Sequence, residues 1–535
     1  MSYTQGKIGS MRQVPSKRIY QVDFLYGAAF TGVALNLHQT WYYRACFIIG
    51  FNSAFFHLNF EKQQSRSFFS SRICLPWSGY RRSFASSVSQ SSCTHRFEQP
   101  GFQYREDRIP KQSDVVVIGG GVIGWSVAFW IRYLSKTTVT VIERDPSLSH
   151  SSSLLGLGSL RTQFSEPENI QMSLFTAEFL RNIEEQLSVS QDDIADINFN
   201  PHGHLILSDE STCEQMKSRA LELPNRLMTP KEVESRWPWL NVGDVQLASY
   251  GDRNEGWFDP WLLVRRLRNK AHVFGANYVV GEVKGFTFFK GLTRTCFLDR
   301  PRRAPLNAPR LSNVIVRTPS GDNENIAFYT VVNCAGAWSG EILKMAMSEV
   351  QEEVPPLPVQ RRKQNIFIVR PDYSQPSMHF PGIDAPIVLD SSGLVLQRQG
   401  LSGDFAVCMN PTQPREDKTA ESDDLDVDYT EYSEEIQPRL AKRVPAMASA
   451  RIQSAWSCFN DYNPIDQSLI IGQHPYLYNM ILATGSSGLG IQHAVPIGRA
   501  VAELVHYRHY KSIDLTRFSF DRFYLGVPFR ERSIF

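Results

Sequence analysis

The chain has 535 residues, enough for two or three domains or one two-lobed enzyme, and its 42% apolar and 21% charged residues are typical of a globular protein. Its net charge of +2 combines +9 in residues 1–97 with −7 in the rest, so the positive charge belongs to the first segment and does not indicate nucleic-acid binding. Eight scattered cysteines without a C-x-x-C pair argue against a disulfide scaffold and against a zinc site.

Residues 1–111 are predicted to be an N-terminal leader. Residues 62–97 contain no acidic residue, many serines and five arginines, which is typical of a mitochondrial transit peptide; a basic linker is the alternative. The apolar stretch at 24–37 has 14 residues and is short for a membrane span, although a signal anchor that includes residues 45–51 stays open. The leader predicts that the protein is located in the mitochondrial matrix or at the matrix face of the inner membrane.

The stretch DVVVIGGGVIGWSVAFWIRYL, residues 114–134, is nearly apolar enough for a membrane helix. Its β-branched start reads as a buried strand, and the residues from Trp125 onward have helical spacing. Between them lies G-x-G-x-x-G, in which Gly119 makes the turn, Gly121 lets backbone approach a diphosphate, and Gly124 lets helix and strand pack closely. This order predicts a dinucleotide-binding turn.

The next strand, in TVTVIERD, ends at Glu143, nineteen positions after Gly124. A carboxylate at this distance accepts hydrogen bonds from the ribose hydroxyls of a dinucleotide. Strand, turn, helix, strand and acid therefore follow one another in the order that a Rossmann-like unit requires.

Further elements follow along the chain. A helix over residues 168–187 should bury Leu174, Phe175, Phe179 and Leu180. Residues 202–209 are predicted to form a strand on which His202 and His204 share a face. The simpler interpretation is that both histidines lie on the surface, and the alternative is that they bind a metal. Asp259 or Pro260 should start a helix, and the next strand contains Val283. A β-rich region reaches about residue 410, and the acid-rich residues 415–435 suggest a solvated loop and a helix start.

Two more strand–turn–helix units resemble the first one. Strand 329–333 precedes the small residues Ala335 and Gly336 and a helix from about Ser339. Strand 480–483 precedes a glycine turn at 485–490 and a helix predicted to begin at Pro496. All three turns are predicted to approach one ligand.

With these turns, the sequence resembles the D-amino-acid oxidase superfamily of FAD enzymes over about residues 112–535. The stretches FSEPENIQMSLFTAEFLRNIEE, ASYGDRNEGWFDPW, VVNCAGAWS, YNPIDQ and FDRFYLG resemble a mitochondrial branch that assists respiratory complex I assembly. The resemblance implies an α/β fold in which a Rossmann-like FAD-binding unit (near 112–200, 268–345 and 450–508) is interleaved with a β-rich substrate unit (near 201–267 and 346–449).

The resemblance also implies FAD as cofactor, no metal, and a set of cofactor-binding residues. Those at the first turn and the acid would hold the diphosphate and the ribose, Val283 the adenine through its backbone, and the last turn the flavin pyrimidine, where a helix N-terminus stabilises negative charge. The set is Gly119, Gly120, Gly121, Gly124, Glu143, Arg144, Val283, Ala335, Gly336, Trp338, Gly485, Ser487, Gly488 and Gly490.

Some positions depart from the pattern of the relatives. The third turn reads GSSGLG where relatives often read G-F-S-G-H-G, which keeps the backbone and loses an aromatic and a histidine. The FAD-tethering histidine of dimethylglycine and sarcosine dehydrogenases falls near Leu155, and His150 is too early to replace it. Cys458 is close to the tethering cysteine of sarcosine oxidase, but a neutral buried thiol is the alternative.

Other departures concern the reaction. The oxygen-activating lysine of the oxidases falls at Ala406 or Val407, which favours a dehydrogenase that passes electrons to an acceptor protein. The carboxylate-binding arginine of glycine oxidase falls at Asn460. No catalytic residue is assigned. The candidates to bind a substrate carboxylate or to orient a substrate, each with an ordinary structural alternative, are Arg361, Arg362, Arg398 and Tyr462.

Two functions remain open from the sequence. The branch resemblance implies a role in complex I assembly, with complex I subunits or assembly intermediates as partners and at most peripheral contact with the inner membrane. The intact cofactor turns favour an active flavin dehydrogenase that oxidises a small N-methyl amino acid such as sarcosine or dimethylglycine.

Overall fold

The computed structural model describes residues 109–190, 193–220, 225–289, 310–350, 354–374, 377–410 and 423–531. The strands in chain order are β1 (Gln112–Ile118), β2 (Val139–Glu143), β3 (Ser159–Leu160), β4 (His204–Ser208), β5 (Arg226–Met228), β6 (Leu247–Gly251), β7 (Gly256–Trp257), β8 (Asn277–Val280), β9 (Glu282–Phe289), β10 (Arg310–Arg317), β11 (Asn323–Asn333), β12 (Gln360–Arg370), β13 (Ile387–Leu389), β14 (Leu394–Gln399), β15 (Asp404–Met409), β16 (Arg451–Tyr462), β17 (Ile470–Gln473) and β18 (Met480–Thr484).

Helices cover both the sheet faces and the connections. The α-helices are α1 (Val122–Leu134), α2 (Ser152–Leu155), α3 (Pro167–Arg181), α4 (Ile183–Leu187), α5 (Cys213–Ala220), α6 (Pro230–Arg236), α7 (Pro260–Val273), α8 (Ser339–Ala346), α9 (Tyr429–Glu431), α10 (Gln437–Arg443), α11 (Gly490–Tyr507) and α12 (Asp521–Leu525). A π-helical turn (Tyr432–Ile436) joins α9 to α10, and single 3₁₀ turns lie at Gly336–Trp338, Pro445–Met447 and Thr516–Phe518.

The first sheet has the order β17-β18-β11-β1-β2-β8, with β9 and β10 joined to it through β11. Its central strands β18, β11, β1, β2 and β8 are parallel. In β1 all four residues from Val115 to Ile118 are buried, because helices and strands cover both faces. The carboxyl ends of β1, β11 and β18 therefore meet at one edge of this sheet.

The second sheet has the order β16-β12-β15-β14-β13-β4-β6-β5 and is antiparallel except where β13 meets β4. One face packs on the segment 432–447 through a core that contains Val388, Phe405 and Val407. The opposite face carries Ile366, Ala406 and Cys408. Since side chains alternate along a strand, this second face is available to line a site.

Helix α11 packs closely on α1 and on α3 within the largest core. It begins at Gly490 and contains Pro496, whereas the sequence had placed its start at Pro496. Proline cannot donate the backbone hydrogen bond to the carbonyl of Gln492. The Thr176 hydroxyl donates to that carbonyl instead (2.6 Å), so the helix continues through the proline.

The predicted interleaving of a Rossmann-like unit with a β-rich unit is confirmed, since the strands of the two sheets alternate along the chain. Two boundaries differ from the prediction. Strand β16 belongs to the second sheet, although residues 450–508 were predicted to belong to the cofactor unit. Helix α7 packs along its length into the core that contains α1 and α11, although the predicted boundary between the substrate unit and the cofactor unit lay within this helix, at residue 268. Leu174 is 40% exposed, contrary to its predicted burial, while Phe179 and Leu180 are buried.

Several sequence expectations fall outside the described residues: the transit peptide, both apolar leader stretches and residues 415–422 of the acid-rich segment. Within the part of the chain that is described, no helix has the length and apolarity of a membrane span. The apolar run 115–131 is divided between β1 and α1 by the glycine turn.

The α1–α11 contact depends on Gly498, where a Cβ atom would lie 2.2 Å from Ser126 Oγ and 2.5 Å from its carbonyl carbon. We expect Gly498→Ala to lower the free energy of unfolding by about 1–3 kcal/mol through overpacking, measured by chemical denaturation. Gly340→Ala is the matched control, because its Cβ would meet only Val359 O at 3.7 Å and helical alanine is favoured over glycine. Equal stability of the two variants would contradict this account.

Candidate functional site

A cavity of about 280 Å³ is lined by residues of both sheets. It begins beside Gly281 and Val283, passes the carboxyl ends of β1 and β11, and continues to the second sheet at Ile387 and Leu389. Ligands of open α/β sheets bind at this carboxyl edge. The cavity is therefore the candidate site.

The first turn brings backbone against backbone at the cavity wall. Gly119 has φ +106°, and a Cβ there would lie 2.3 Å from Cys334 O at the end of β11. A Cβ at Gly124 would lie 1.9 Å from Gly119 O, so α1 starts directly behind the turn. The first turn of α1 contains no acidic residue, which leaves the positive end of its dipole available to an anion.

Glu143 joins this turn to the end of β2. Its Oε2 accepts the Gly120 N–H (2.7 Å) and its Oε1 accepts the Asp145 N–H (2.8 Å). Burial raises the pKa of the Glu143 carboxyl, and the two N–H donors act in the opposite direction. Each oxygen keeps a lone pair with which to accept a ribose hydroxyl.

The second approach lies after β11. The Arg144 guanidinium carbon lies 4.1 Å from the centroid of the Trp338 ring, a cation–π contact. The Trp338 indole N–H donates to Asp423 Oδ1 (3.2 Å), and this carboxylate also accepts from Arg361 (2.5 Å). Trp338 is thereby fixed between the cavity and the chain after residue 423.

The third turn is held by the end of β16. The carboxylate of Asp461 accepts from Ser486 N–H (2.9 Å) and from the Ser486 hydroxyl (2.6 Å), and the Asp461 carbonyl accepts from Ser487 N–H (3.1 Å). Asp461 is buried and lines the cavity, and burial raises the pKa of its carboxyl. The second sheet therefore positions the turn that begins α11, and sequence reasoning missed this residue.

The structure brings eleven of the fourteen predicted cofactor residues to the cavity wall. Three do not line it: Gly120 acts through its N–H to Glu143, Gly124 lies behind the turn, and a Cβ at Gly485 would meet Ile470 at 3.1 Å. The eleven lining residues are Gly119, Gly121, Glu143, Arg144, Val283, Ala335, Gly336, Trp338, Ser487, Gly488 and Gly490.

These residues fit FAD. A dinucleotide needs a backbone-lined wall, an acceptor for its ribose and amide donors for its phosphates, and the cavity provides them at Gly119, at Glu143 and at the start of α1. Ser487, Gly488 and Gly490 at the start of α11 would face the pyrimidine, where N–H groups stabilise negative charge.

The part of the cavity lined by the second sheet contains a charged cluster that sequence reasoning missed. Arg161 is 7% exposed, and burial lowers the pKa of its guanidinium to about 10, so it stays protonated at neutral pH. Glu255 is fully buried and accepts from Thr162 N–H (2.9 Å), the Thr162 hydroxyl (2.6 Å) and Gln163 (2.9 Å). The sequence gave only a weak signal for this cluster, namely that Arg161 follows a Ser/Gly-rich loop.

His204 belongs to the same cluster, so its expected place in a surface pair was wrong. It is 1% exposed, and its Nδ1 lies 3.6 Å from Glu255 Oε2. Burial and the charge of Arg161 lower the pKa of His204 to about 3, so the ring is neutral at physiological pH. The strand pattern located this residue on β4, but only the packing of β4 against residues 161–163 buries it.

The arginines proposed from sequence lie elsewhere. Arg361 pairs with Asp423 and Glu341, Arg362 stacks on the Tyr462 ring at 4.3 Å, and Arg398 donates to the carbonyls of Gly400 and Pro381. None of them, nor Tyr462, is among the described residues that line the cavity.

Of the remaining positions that the resemblance singled out, some line the cavity and others do not. Asn460 and His150 line the cavity, whereas Leu155, Ala406 and Cys458 are not among its described lining residues. Burial raises the pKa of the Cys458 thiol to about 12, which disfavours the thiolate that a covalent flavin bond needs. The cysteines on the cavity wall are Cys334 and Cys408, and burial raises the pKa of both thiols.

Comparisons with known proteins agree with this geometry. Residues 114–504 match the family model described as FAD dependent oxidoreductase, or DAO. The chain is 38% identical to FAD-dependent oxidoreductase domain-containing protein 1 of Xenopus laevis over 80% of this chain and 86% of that protein. It is 24% identical to mitochondrial sarcosine dehydrogenase of Mus musculus over 77% of this chain and 42% of that protein.

Among solved structures, the fold is similar to L-proline dehydrogenase from P. horikoshii, with a TM-score of 0.63 and 23% identity over 79% of this chain and 100% of that chain.

The Asp461 contacts predict a role in cofactor retention. We expect Asp461→Ala to weaken FAD binding about tenfold to a hundredfold, because each buried donor left without an acceptor costs about 1–3 kcal/mol. Asp461→Asn keeps a carbonyl acceptor for the Ser486 N–H and should bind FAD nearly as the wild type does. Fluorescence titration of apoprotein with FAD measures both, and equal affinity of wild type and Asp461→Ala would refute the role.

Proposed function

Because this chain belongs to the DAO family of FAD-dependent oxidoreductases, we propose that it is a mitochondrial dehydrogenase that oxidises the C–N bond of a small amino acid. The observation that carries the proposal is Arg161, a buried guanidinium at the part of the cavity lined by the second sheet. A protonated guanidinium in a low-dielectric wall is well suited to bind a substrate carboxylate.

When bound, FAD would supply a two-electron acceptor for the hydride on the carbon next to the neutral amine, and the iminium ion left behind can be hydrolysed by water. The protein has to bind the carboxylate, orient the C–H bond and exclude water. Arg161 would hold the carboxylate. His204 is neutral, and the charges of Glu531 and Glu255 favour the protonated form of Arg161.

Two observations favour a dehydrogenase over an oxidase. None of the described cavity-lining residues is a lysine. Ala406, one of the two positions where the resemblance implies the oxygen-activating lysine, is a fully buried alanine. An acceptor protein would then reoxidise the flavin. The basic, acid-poor residues 62–97 and the similarity to a mitochondrial sarcosine dehydrogenase support the mitochondrial location.

The test is anaerobic mixing of the purified holoprotein with sarcosine, dimethylglycine, glycine and D-amino acids while the visible flavin absorbance is followed. We expect one of them to bleach the flavin, and Arg161→Met to lower the rate per unit substrate concentration at least about tenfold, since a charge-assisted bond contributes about 1.5–3 kcal/mol. Arg362→Met is the matched control, a buried arginine stacked on Tyr462 away from the cavity wall. If dithionite bleaches the flavin and neither these amines nor any L-amino acid or proline does, the enzymatic proposal fails.

Assembly of respiratory complex I is the second candidate function. Two of the stretches that carry this resemblance, YNPIDQ and FDRFYLG, join through the buried Asp466–Arg522 pair (2.7 Å), and Phe529 N–H also donates to Asp466 (2.9 Å). Neither charged residue lines the cavity. The same segments expose Ile465 (42%) and Leu525 (63%), and Val527 (64% exposed) follows the second one directly. Exposed apolar side chains on a rigid, charge-fixed segment favour contact with a partner protein.

This candidate predicts that Leu525→Glu with Val527→Glu reduces complex I assembly without loss of FAD. Complementation of cells that lack the protein, followed by native gels for complex I, measures the effect. Leu401→Glu is the control, because Leu401 is 88% exposed in a loop of the second sheet. Normal complex I with the double variant would exclude this surface.

A further inference from the structure

The second sheet forms a continuous apolar wall along the cavity. On β13, Ile387 and Leu389 line it; Leu389 is opposite Val395 of β14, and Val395 is opposite Cys408 of β15. Ile366 of β12 follows on the next strand. Four neighbouring strands, each about 4.8 Å from the next, thus give a row about 14 Å long.

The wall begins at the charged cluster. Ile387 is the register partner of His204 across the β13–β4 pair, and Arg161 lines the cavity together with both residues. Gln163 beside them donates to the His204 carbonyl (3.1 Å). A ligand whose carboxylate meets Arg161 therefore has its remaining atoms against Ile387 and Leu389.

The polar groups at the far end of the wall are paired with the protein. Asn460 donates to Gln364 Oε1 (2.8 Å), and Gln364 donates to the carbonyl of Met409 (3.1 Å). Apart from neutral His204, the only ionisable carboxylate or base from the second sheet among the described lining residues is Asp461, whose carboxylate bonds to the third turn. A charged or strongly polar side chain on the ligand would lose its hydration there without a partner.

Building on the proposed function, we infer that the substrate is an amino or imino acid with an apolar side chain of several carbons rather than a glycine derivative. The carboxylate lies on Arg161 and the side chain on the wall of Ile387, Leu389, Val395 and Ile366. Glycine, sarcosine and dimethylglycine leave this wall without a contact, and each missing methylene in an apolar pocket costs roughly tenfold or more in specificity.

The test compares anaerobic flavin reduction by both enantiomers of alanine, valine, leucine and their N-methyl forms, and by proline, with glycine and sarcosine. Asparagine and aspartate serve as polar counterparts of leucine. We expect the best apolar substrate to exceed glycine, sarcosine and asparagine at least about tenfold in rate per unit concentration. Faster reduction by glycine, sarcosine or a charged amino acid overturns the inference and leaves the dehydrogenase proposal intact.

Binding separates the inference from turnover. Isovalerate should perturb the flavin spectrum of the holoprotein with a dissociation constant at least about tenfold lower than that of acetate, because about 0.8 kcal/mol is gained for each buried methylene. Equal affinities overturn the inference whether or not any amine reduces the flavin. If isovalerate binds tightly and no amine bleaches the flavin, the apolar site stands and the oxidation chemistry fails.

A pair of variants on one strand supplies the control. Ile387→Ala should lower the preference for the larger apolar ligand over the smaller one about tenfold. Val388→Ala should leave this preference unchanged, since Val388 faces the core on the opposite side of the sheet. Both remove buried carbon from β13, so a general loss of stability affects both alike. An unchanged preference in Ile387→Ala contradicts the proposed wall.

Discussion

Backbone has to meet backbone at Gly119 for the rest of the site to form. A Cβ atom there would lie only 2.3 Å from Cys334 O, so any side chain at this position would push the first turn away from the segment that follows β11. That contact brings the first and second turns together, and Gly124 then lets α1 begin against the first turn. Parallel pairing of β1 with β11 and β2 supplies the shared edge, and the close approach places the start of α1 and Glu143 beside the second turn at that edge.

The second sheet contributes more than a cover over the cofactor. Strand β16 carries Asn460 on the wall of the second sheet and, as the next residue, Asp461, whose carboxylate holds the third turn. Asn463 N–H donates to Ser487 Oγ (3.0 Å) just beyond the strand. One strand end therefore fixes both a residue of the cavity wall and the third turn, so their spacing is set by the rigid backbone of β16.

The parts of the fold and of the site that could be predicted are those that depend on short stretches of sequence. The glycine turn, Glu143 and the strand–turn–helix units follow from short segments, because glycine spacing and hydrophobic periodicity are read within about 30 residues. Arg161, His204 and Glu255 come from three separate segments, and nothing in any one of them signals burial. The continuation of α11 through Pro496 depends on Thr176, more than 300 positions away, so a local rule necessarily failed there.

The charges along the cavity explain why an anion would occupy its second-sheet part. A diphosphate at the first turn is stabilised by N–H groups and the dipole of α1, so it needs no basic side chain. Arg144 is stacked on Trp338. Arg161 is thus the basic residue among the described lining residues of the second-sheet part, and a neutral His204 adds no charge beside it. An anion at that part would pair with the Arg161 guanidinium, whose protonated form the charges of Glu531 and Glu255 also favour, while the row from Ile387 to Ile366 favours a ligand whose other face is apolar.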